Sequence, residues 1–188
     1  MNVDGHKNVE KVIRYYLLFM PPKGCRSIID IGSGITSPYK GLLKNLTGKY
    51  VSLDIREGAD ITADLTEKSN IPDKFFEWGW CSEVIEHVEK EKQYAFVNEV
   101  MRICENAVFT YPTPLHPSFL LDEGHHEVVV DFGGLGYNVI DKSTTTGRNI
   151  YILTDKSRIY YWSKGKIYEN TITIWDDSRK RIYVENWR

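Results

Sequence analysis

Apolar positions divide this chain into short buried runs and amphipathic stretches. Val9, Val12, Ile13, Tyr16 and Met20 recur at helical spacing, and Pro21-Pro22 closes that helix. Ser27 to Ile31 is a short, mostly apolar run ended by Gly32, the pattern of a strand buried on both faces. Ser37-Pro38 opens a helix with Leu42, Leu43 and Leu46 on one face, and Gly48 is placed to end it. Lys49 to Asp54 reads as a second strand, Ala59 to Leu65 as a short third, and Phe75 to Ser82 as an aromatic-rich fourth. Lys90 to Cys104 predicts a helix with Phe96, Val97, Val100, Met101 and Cys104 on its apolar side. Ala107 to Tyr111 is a fifth strand, stopped by Pro112, and a helix is expected to start near Glu127. Strands alternating with helices predict an α/β fold, a doubly wound and mostly parallel sheet. Such sheets bind ligands outside the carboxyl ends of their strands.

The pattern changes after Asp155. Lys166 to Trp175 and Arg181 to Trp187 alternate as strands, with turns at Lys164-Gly165 and Asp176 to Lys180. A β-hairpin or meander extension is therefore expected over 156–188, appended to one domain over 1–155. The extension carries a net charge of +4 and the remainder −6. It is rich in aromatics, among them Tyr160, Tyr161, Trp162, Tyr168, Trp175, Tyr183 and Trp187. A lone hairpin is marginal in water, so packing of these rings on the domain, or in a homo-oligomer, is the favoured use. Stacking against single-stranded nucleic acid is the other.

Composition narrows the class. The chain has 188 residues, 41% of them hydrophobic and 27% charged, ordinary for a globular protein with one core. A net charge of −2 argues against unspecific duplex binding through bulk charge. Cys25, Cys81 and Cys104 are scattered and odd in number, which argues against disulfides and a zinc site and for a reducing compartment. The longest apolar run, Tyr15 to Met20, is too short to span a bilayer, and no secretory leader is read. A cytoplasmic location without membrane contact is the expectation.

The chemistry-bearing residues follow strands. Asp30-Ile-Gly32-Ser-Gly34 leads directly from the first strand towards the first helix, and its glycines let a ligand approach the backbone. Ser37 stands where a dinucleotide fingerprint would carry its third glycine. Asp54 ends the second strand 20 residues past Gly34, where a carboxylate can take both hydroxyls of a ribose. These features point to a nucleoside with a cationic or zwitterionic end.

Over residues 24–155 the sequence resembles the class I S-adenosylmethionine-dependent methyltransferases, most closely the small type 11 group. Ser27 to Gly34, Tyr50 to Asp54, Ala63-Asp64-Leu65, Ser82 to Val88 (Ser-Glu-Val-Ile-Glu-His-Val) and Val97 to Ile103 match five family motifs in order. The resemblance implies a Rossmann-like sheet with S-adenosylmethionine as cofactor, and a seventh strand near Asn149 to Thr154. It implies that Asp30, Gly32, Ser33 and Gly34 line the methionine end and that Asp54 holds the ribose. Ile55 would flank the adenine, Asp64 and Leu65 would reach its edge, and Ser82 and Glu83 would lie under the sulfonium. Two departures stand out. The connection from Asp54 to Asp60 is too short for the usual helix, and Trp78-Gly79-Trp80 replaces the usual acidic pattern of the fourth strand.

The loop after the fifth strand carries His116 and Asp122-Glu-Gly-His125-His126-Glu127. His125 or His126 is the candidate general base for an acceptor hydroxyl or amine, because neutral imidazole titrates near the working pH. A metal site from His125, His126, Asp122 and His116 is disfavoured, since adjacent strand residues point to opposite faces. No metal is assigned. His87 is expected to pack near the cofactor. The chain lacks the Asp/Asn-Pro-Pro-Tyr/Phe signature of adenine and cytosine N-methyltransferases, and no cysteine follows a proline as in cytosine C5 enzymes. The expected function is methyl transfer to a small-molecule acceptor. A nucleic-acid methyltransferase using the basic aromatic tail, and a non-catalytic scaffold of the same fold, are the alternatives.

Overall fold

The computed structural model describes residues 20–35, 37–114, 122–143 and 148–154, and in the tail the strands at 161–163, 166–168, 171–175 and 181–185. The chain divides into two compact units, Lys23–Ser157 and Met1–Pro22 with Arg158–Arg188. The helix expected over Val9 to Met20 lies outside the described residues but for Met20.

The larger unit is built on seven strands: β1 (Ile28–Ile31), β2 (Tyr50–Asp54), β3 (Ile61–Thr62), β4 (Phe76–Ser82), β5 (Cys104–Pro112), β6 (Asn138–Ser143) and β7 (Arg148–Thr154). They form one sheet in the order β3-β2-β1-β4-β5-β7-β6. β3, β2, β1, β4 and β5 pair in parallel, and β7 runs antiparallel to both β5 and β6. The mostly parallel sheet is as the sequence predicts.

Side chains alternate across it. Ile29, Ile31, Cys81, Ala107 and Phe109 join the cluster packed with helix α2 (Gln93–Ile103). Ile28, Trp80 and Val108 alternate with them and are also fully buried. The apolar runs of β1 and β4 are thus explained by burial on both faces. α2 supplies Phe96, Val97, Val100, Met101 and Ile103 to the cluster, one stripe of an amphipathic helix.

Several boundaries differ from the sequence reading. The first helix, α1, spans Lys40–Lys44, beyond Ser37-Pro38 and short of Gly48. Lys90–Lys92 forms a separate 3-10 turn before α2. β5 begins at Cys104, immediately after α2. The abrupt change is covered by Lys74, whose amide donates to the Arg102 carbonyl and whose Nζ donates to the carbonyls of Met101 (2.7 Å) and Cys104 (3.1 Å). No helix starts near Glu127. The chain runs without regular structure to a 3-10 turn at Phe132–Leu135 and then into β6, which lacks the apolar run that marks β1 and β4. The link from β2 to β3 has no helix, as its length requires. Asp60 closes it, accepting from the Ser52 amide (2.8 Å) and hydroxyl (2.7 Å).

In the smaller unit, β8 (Tyr161–Ser163) pairs with β9 (Lys166–Tyr168), and β10 (Thr171–Trp175) with β11 (Arg181–Glu185), both antiparallel. The stretch expected as one strand from Lys166 to Trp175 carries two described strands, β9 and β10.

An ion cluster ties α2 to the segment before β4. Arg102 forks onto both oxygens of buried Glu99 (2.7 Å each), reaches Asp73, and donates to the Ser69 carbonyl (3.1 Å). Burial would raise the Glu99 carboxyl, but Arg102 and Ser69 outweigh it and hold the group down at about 2, against an ordinary 4.5. A depressed carboxylate stabilises the fold above its ordinary pKa, and that contribution is lost as pH falls from 4.5 towards 2. Arg102→Ala strands a buried charge and should cost about 3–5 kcal/mol. Acid titrations of both proteins followed by circular dichroism should place the variant's unfolding at higher pH. Coincident curves would remove the cluster from the stability account.

Candidate functional site

A cleft of about 510 Å³ opens at the carboxyl ends of β1, β2 and β4. Gly32 forms part of its wall with φ at +68°, and a Cβ built there would lie 2.3 Å from Val84 Cγ2. Only glycine fits that approach. The amides of Gly32 (2.8 Å) and Ser33 (3.1 Å) donate to the Leu53 carbonyl, and the Gly34 amide donates to Asp54 Oδ2 (2.7 Å). All three are committed to β2, so these amides form no nest for a pyrophosphate.

Asp54 is buried at the cleft wall. Its Oδ1 accepts from the Arg56 amide (2.9 Å) and from Arg56 Nε (3.0 Å). Burial alone would raise this carboxyl, yet the Arg56 and Gly34 donors hold it below its ordinary value. Ile55, Asp64, Leu65 and Glu83 also line the cleft. The Asp64 carboxylate accepts from the Thr66 amide (2.8 Å), which shapes that turn.

Asp30 is placed differently. It is buried, and its Oδ2 accepts from the Tyr50 hydroxyl (2.7 Å). Burial raises its pKa, partly offset by the Ser37 and Tyr50 hydroxyls. The structure thus makes Asp30 a support of the loop, behind the cleft wall. Ser82 shares a 2.8 Å hydrogen bond with buried Thr110. Glu83 adopts a left-handed φ of 58°, a strained conformation for a side chain of its kind, and its amide donates to the Thr110 carbonyl (2.8 Å).

Beyond Glu83 the chain turns through a 3-10 segment, Ile85–His87. Ligating atoms of Glu86, His87 and His125 all lie within 4.8 Å of one another, and the two imidazole centroids are 4.5 Å apart. The Glu86 carboxylate is fully buried, and neither oxygen has a hydrogen-bond partner among the described residues. Burial, with the Asp122 charge adding to it, pushes this carboxyl up to about 8. Burial and then the His125 ring push the His87 imidazole below its ordinary value. Asp122 Oδ2 lies 3.5 Å from His125 Nε2. His126 contributes its backbone, its amide donating to the Glu86 carbonyl (2.6 Å). His116 is outside the described residues.

One carboxylate and two imidazoles suit a divalent transition metal. A fully buried carboxyl with no hydrogen-bond partner among the described residues fits a cation ligand. From the sequence no metal is assigned here and His87 is given a packing role; the structure brings Glu86 and His87 together with His125. The signal was present: an acid beside an imidazole at the ligand end of β4, with a second imidazole after β5.

No protein-family model matches the chain, and no curated protein matches it in sequence. Solved structures do match in fold. A SAM-dependent methyltransferase from Archaeoglobus fulgidus superposes with a TM-score of 0.59 at 19% identity, over 77% of this chain and 91% of that one. The fold is that of the class I methyltransferases. The small RNA methyltransferase HEN1 also superposes at 0.59, with 16% identity, over 85% of this chain and 26% of HEN1. The methyltransferase domain of bacterial CtHen1 superposes at 0.52, with 14% identity, over 79% of this chain and 96% of that domain. No helix among the described residues is long and apolar enough to cross a membrane.

Glu86 gives the site a pH signature. The folded state keeps its proton up to about pH 8, whereas an ordinary glutamate loses it near 4.5. Stability from this group is therefore full below 4.5 and falls as pH rises to 8. Glu86→Gln removes that dependence. In chelator-treated protein the variant should gain on the parent between pH 5 and 9, by on the order of 3–5 kcal/mol. Thermal melts across that range check it, and a constant difference would show that the carboxylate is not desolvated.

Proposed function

We propose that this protein is an S-adenosylmethionine-dependent methyltransferase acting on a hydroxyl acceptor held beside a divalent cation. The observation that carries the reading is that one cleft joins the buried Asp54 carboxylate to His87 of the Glu86–His87–His125 cluster. The residues fit the cofactor. Asp54 is an ionised acceptor for ribose hydroxyls, and Ile55 and Leu65 offer apolar walls to a base. Asp64 would face its polar edge, and Ser82 and Glu83 would stand at the cofactor's cationic end. When bound, the cofactor supplies an electrophilic methyl group on a sulfonium.

A carboxylate has about four acceptor positions, and Asp54 already uses three. Two ribose hydroxyls therefore require one donor to leave, and Arg56 Nε is the one carried on an exposed side chain. Glu86, His87 and His125 would hold a divalent cation, which would lower the pKa of an acceptor hydroxyl bound beside it. His125 then serves as a ligand and not as a free general base. The likeness to HEN1, named as a small RNA methyltransferase, favours an RNA acceptor over the small molecule expected from sequence.

Calorimetry with S-adenosylhomocysteine tests the cofactor half. Asp54→Ala loses a charged hydrogen-bond partner worth about 2–3 kcal/mol, so affinity should fall roughly 30- to 150-fold. Normal binding by the folded variant would refute the assignment.

Labelled-methyl transfer to single-stranded small RNA, with Mn²⁺ or with chelator, tests the acceptor half. Transfer should require the cation and be lost in His87→Ala, which should still bind S-adenosylhomocysteine. Undiminished transfer in chelator would remove the cation from the mechanism. Cofactor binding without transfer to any RNA, DNA or metabolite pool would favour a scaffold.

A further inference from the structure

Glu86 and His87 follow β4, whereas His125 lies in the irregular segment 122–131, and backbone groups in such a segment need partners from elsewhere. Gln93, fully buried at the start of α2, provides them. Its Nε2 donates to the carbonyls of Val88 (3.1 Å) and Glu127 (3.1 Å), with the Ile85 carbonyl at 3.4 Å. Its Oε1 accepts from the Val129 amide (2.9 Å). The partners fix the amide's orientation, carbonyls on one side and an N–H on the other. One side chain thus joins the stretch carrying Glu86 and His87 to the stretch carrying His125.

We infer that Gln93 is a positioning residue, the tether that holds the imidazoles of His87 and His125 at ligating distance from Glu86. This rests on the cluster being the cation site proposed above. The hydrogen bonds of the Gln93 amide go to backbone groups, so it acts through backbone placement. Other ties between the two stretches are the His126 amide on the Glu86 carbonyl (2.6 Å), a hydrogen bond of His87 with the Gly124 backbone, the exposed Lys90–Glu127 ion pair (3.0 Å) and the Asp131 amide on the Tyr94 hydroxyl (3.0 Å). Gln93 is the fully buried one, and it holds the backbone at both Glu127 and Val129. Outer partners that orient metal ligands commonly govern affinity by about 10- to 100-fold.

Two variants break the tether from opposite ends. Gln93→Met keeps the length and removes the hydrogen bonds. Val129→Pro removes the amide donor at a position whose own side chain is half-exposed, and so covers the case in which Gln93→Met fails to fold. The readouts are the nuclear Overhauser contact between the His87 and His125 rings, the dissociation constant for Mn²⁺, and that for S-adenosylhomocysteine. The inter-ring contact should be present in the parent and lost in the variants. Mn²⁺ affinity should fall about 10- to 100-fold while S-adenosylhomocysteine binds as before. Retention of the contact in folded variants would overturn the tether. A parent that shows the contact but binds no Mn²⁺ would overturn the cation reading and leave the tether standing.

Discussion

The ligand end of this sheet depends on how closely the loop after β1 passes the segment after β4. Gly32 and Val84 meet at a distance that admits no Cβ, and Glu83 takes a left-handed backbone beside them. That contact lets the loop amides turn onto Leu53 and Asp54, and it lets the chain after Glu83 turn into the 3-10 segment bearing Glu86 and His87. A parallel sheet brings its strand carboxyl ends to one edge, so both consequences appear in the same cleft.

Electrostatics divide the cleft into two regions. Around Asp54 the donors outnumber what burial costs, and the carboxylate stays charged. Around Glu86 burial is not compensated, and the carboxyl holds its proton well above the ordinary range. The first suits a neutral diol, which replaces one hydrogen-bond donor with another. The second suits a cation, which alone supplies the charge that buried oxygens lack. Asp30, shut against Tyr50, belongs to neither region and braces the loop.

Much of the fold was legible from local pattern. β1, β2, β4 and α2 sit within a residue or two of their expected bounds except at the start of α2, because long apolar runs and a clear amphipathic stripe outweigh other local preferences. β6 and the irregular run before it were not legible. β6 is defined by its antiparallel partner β7, and the run before it by bonds to a glutamine 34 and 36 residues away in sequence.

The candidate site divides in the same way. By itself the sequence determined that Gly32, Gly34 and Asp54 would gather at the strand ends, since strand–glycine–helix spacing is a local property. It also determined that His125 stands in the loop after β5. Only the tertiary structure decided that Asp30 faces Tyr50 and that His125 meets Glu86 and His87. These pairings join segments whose separation along the chain carries no periodicity, and they follow from which backbone groups must find partners once the sheet has closed.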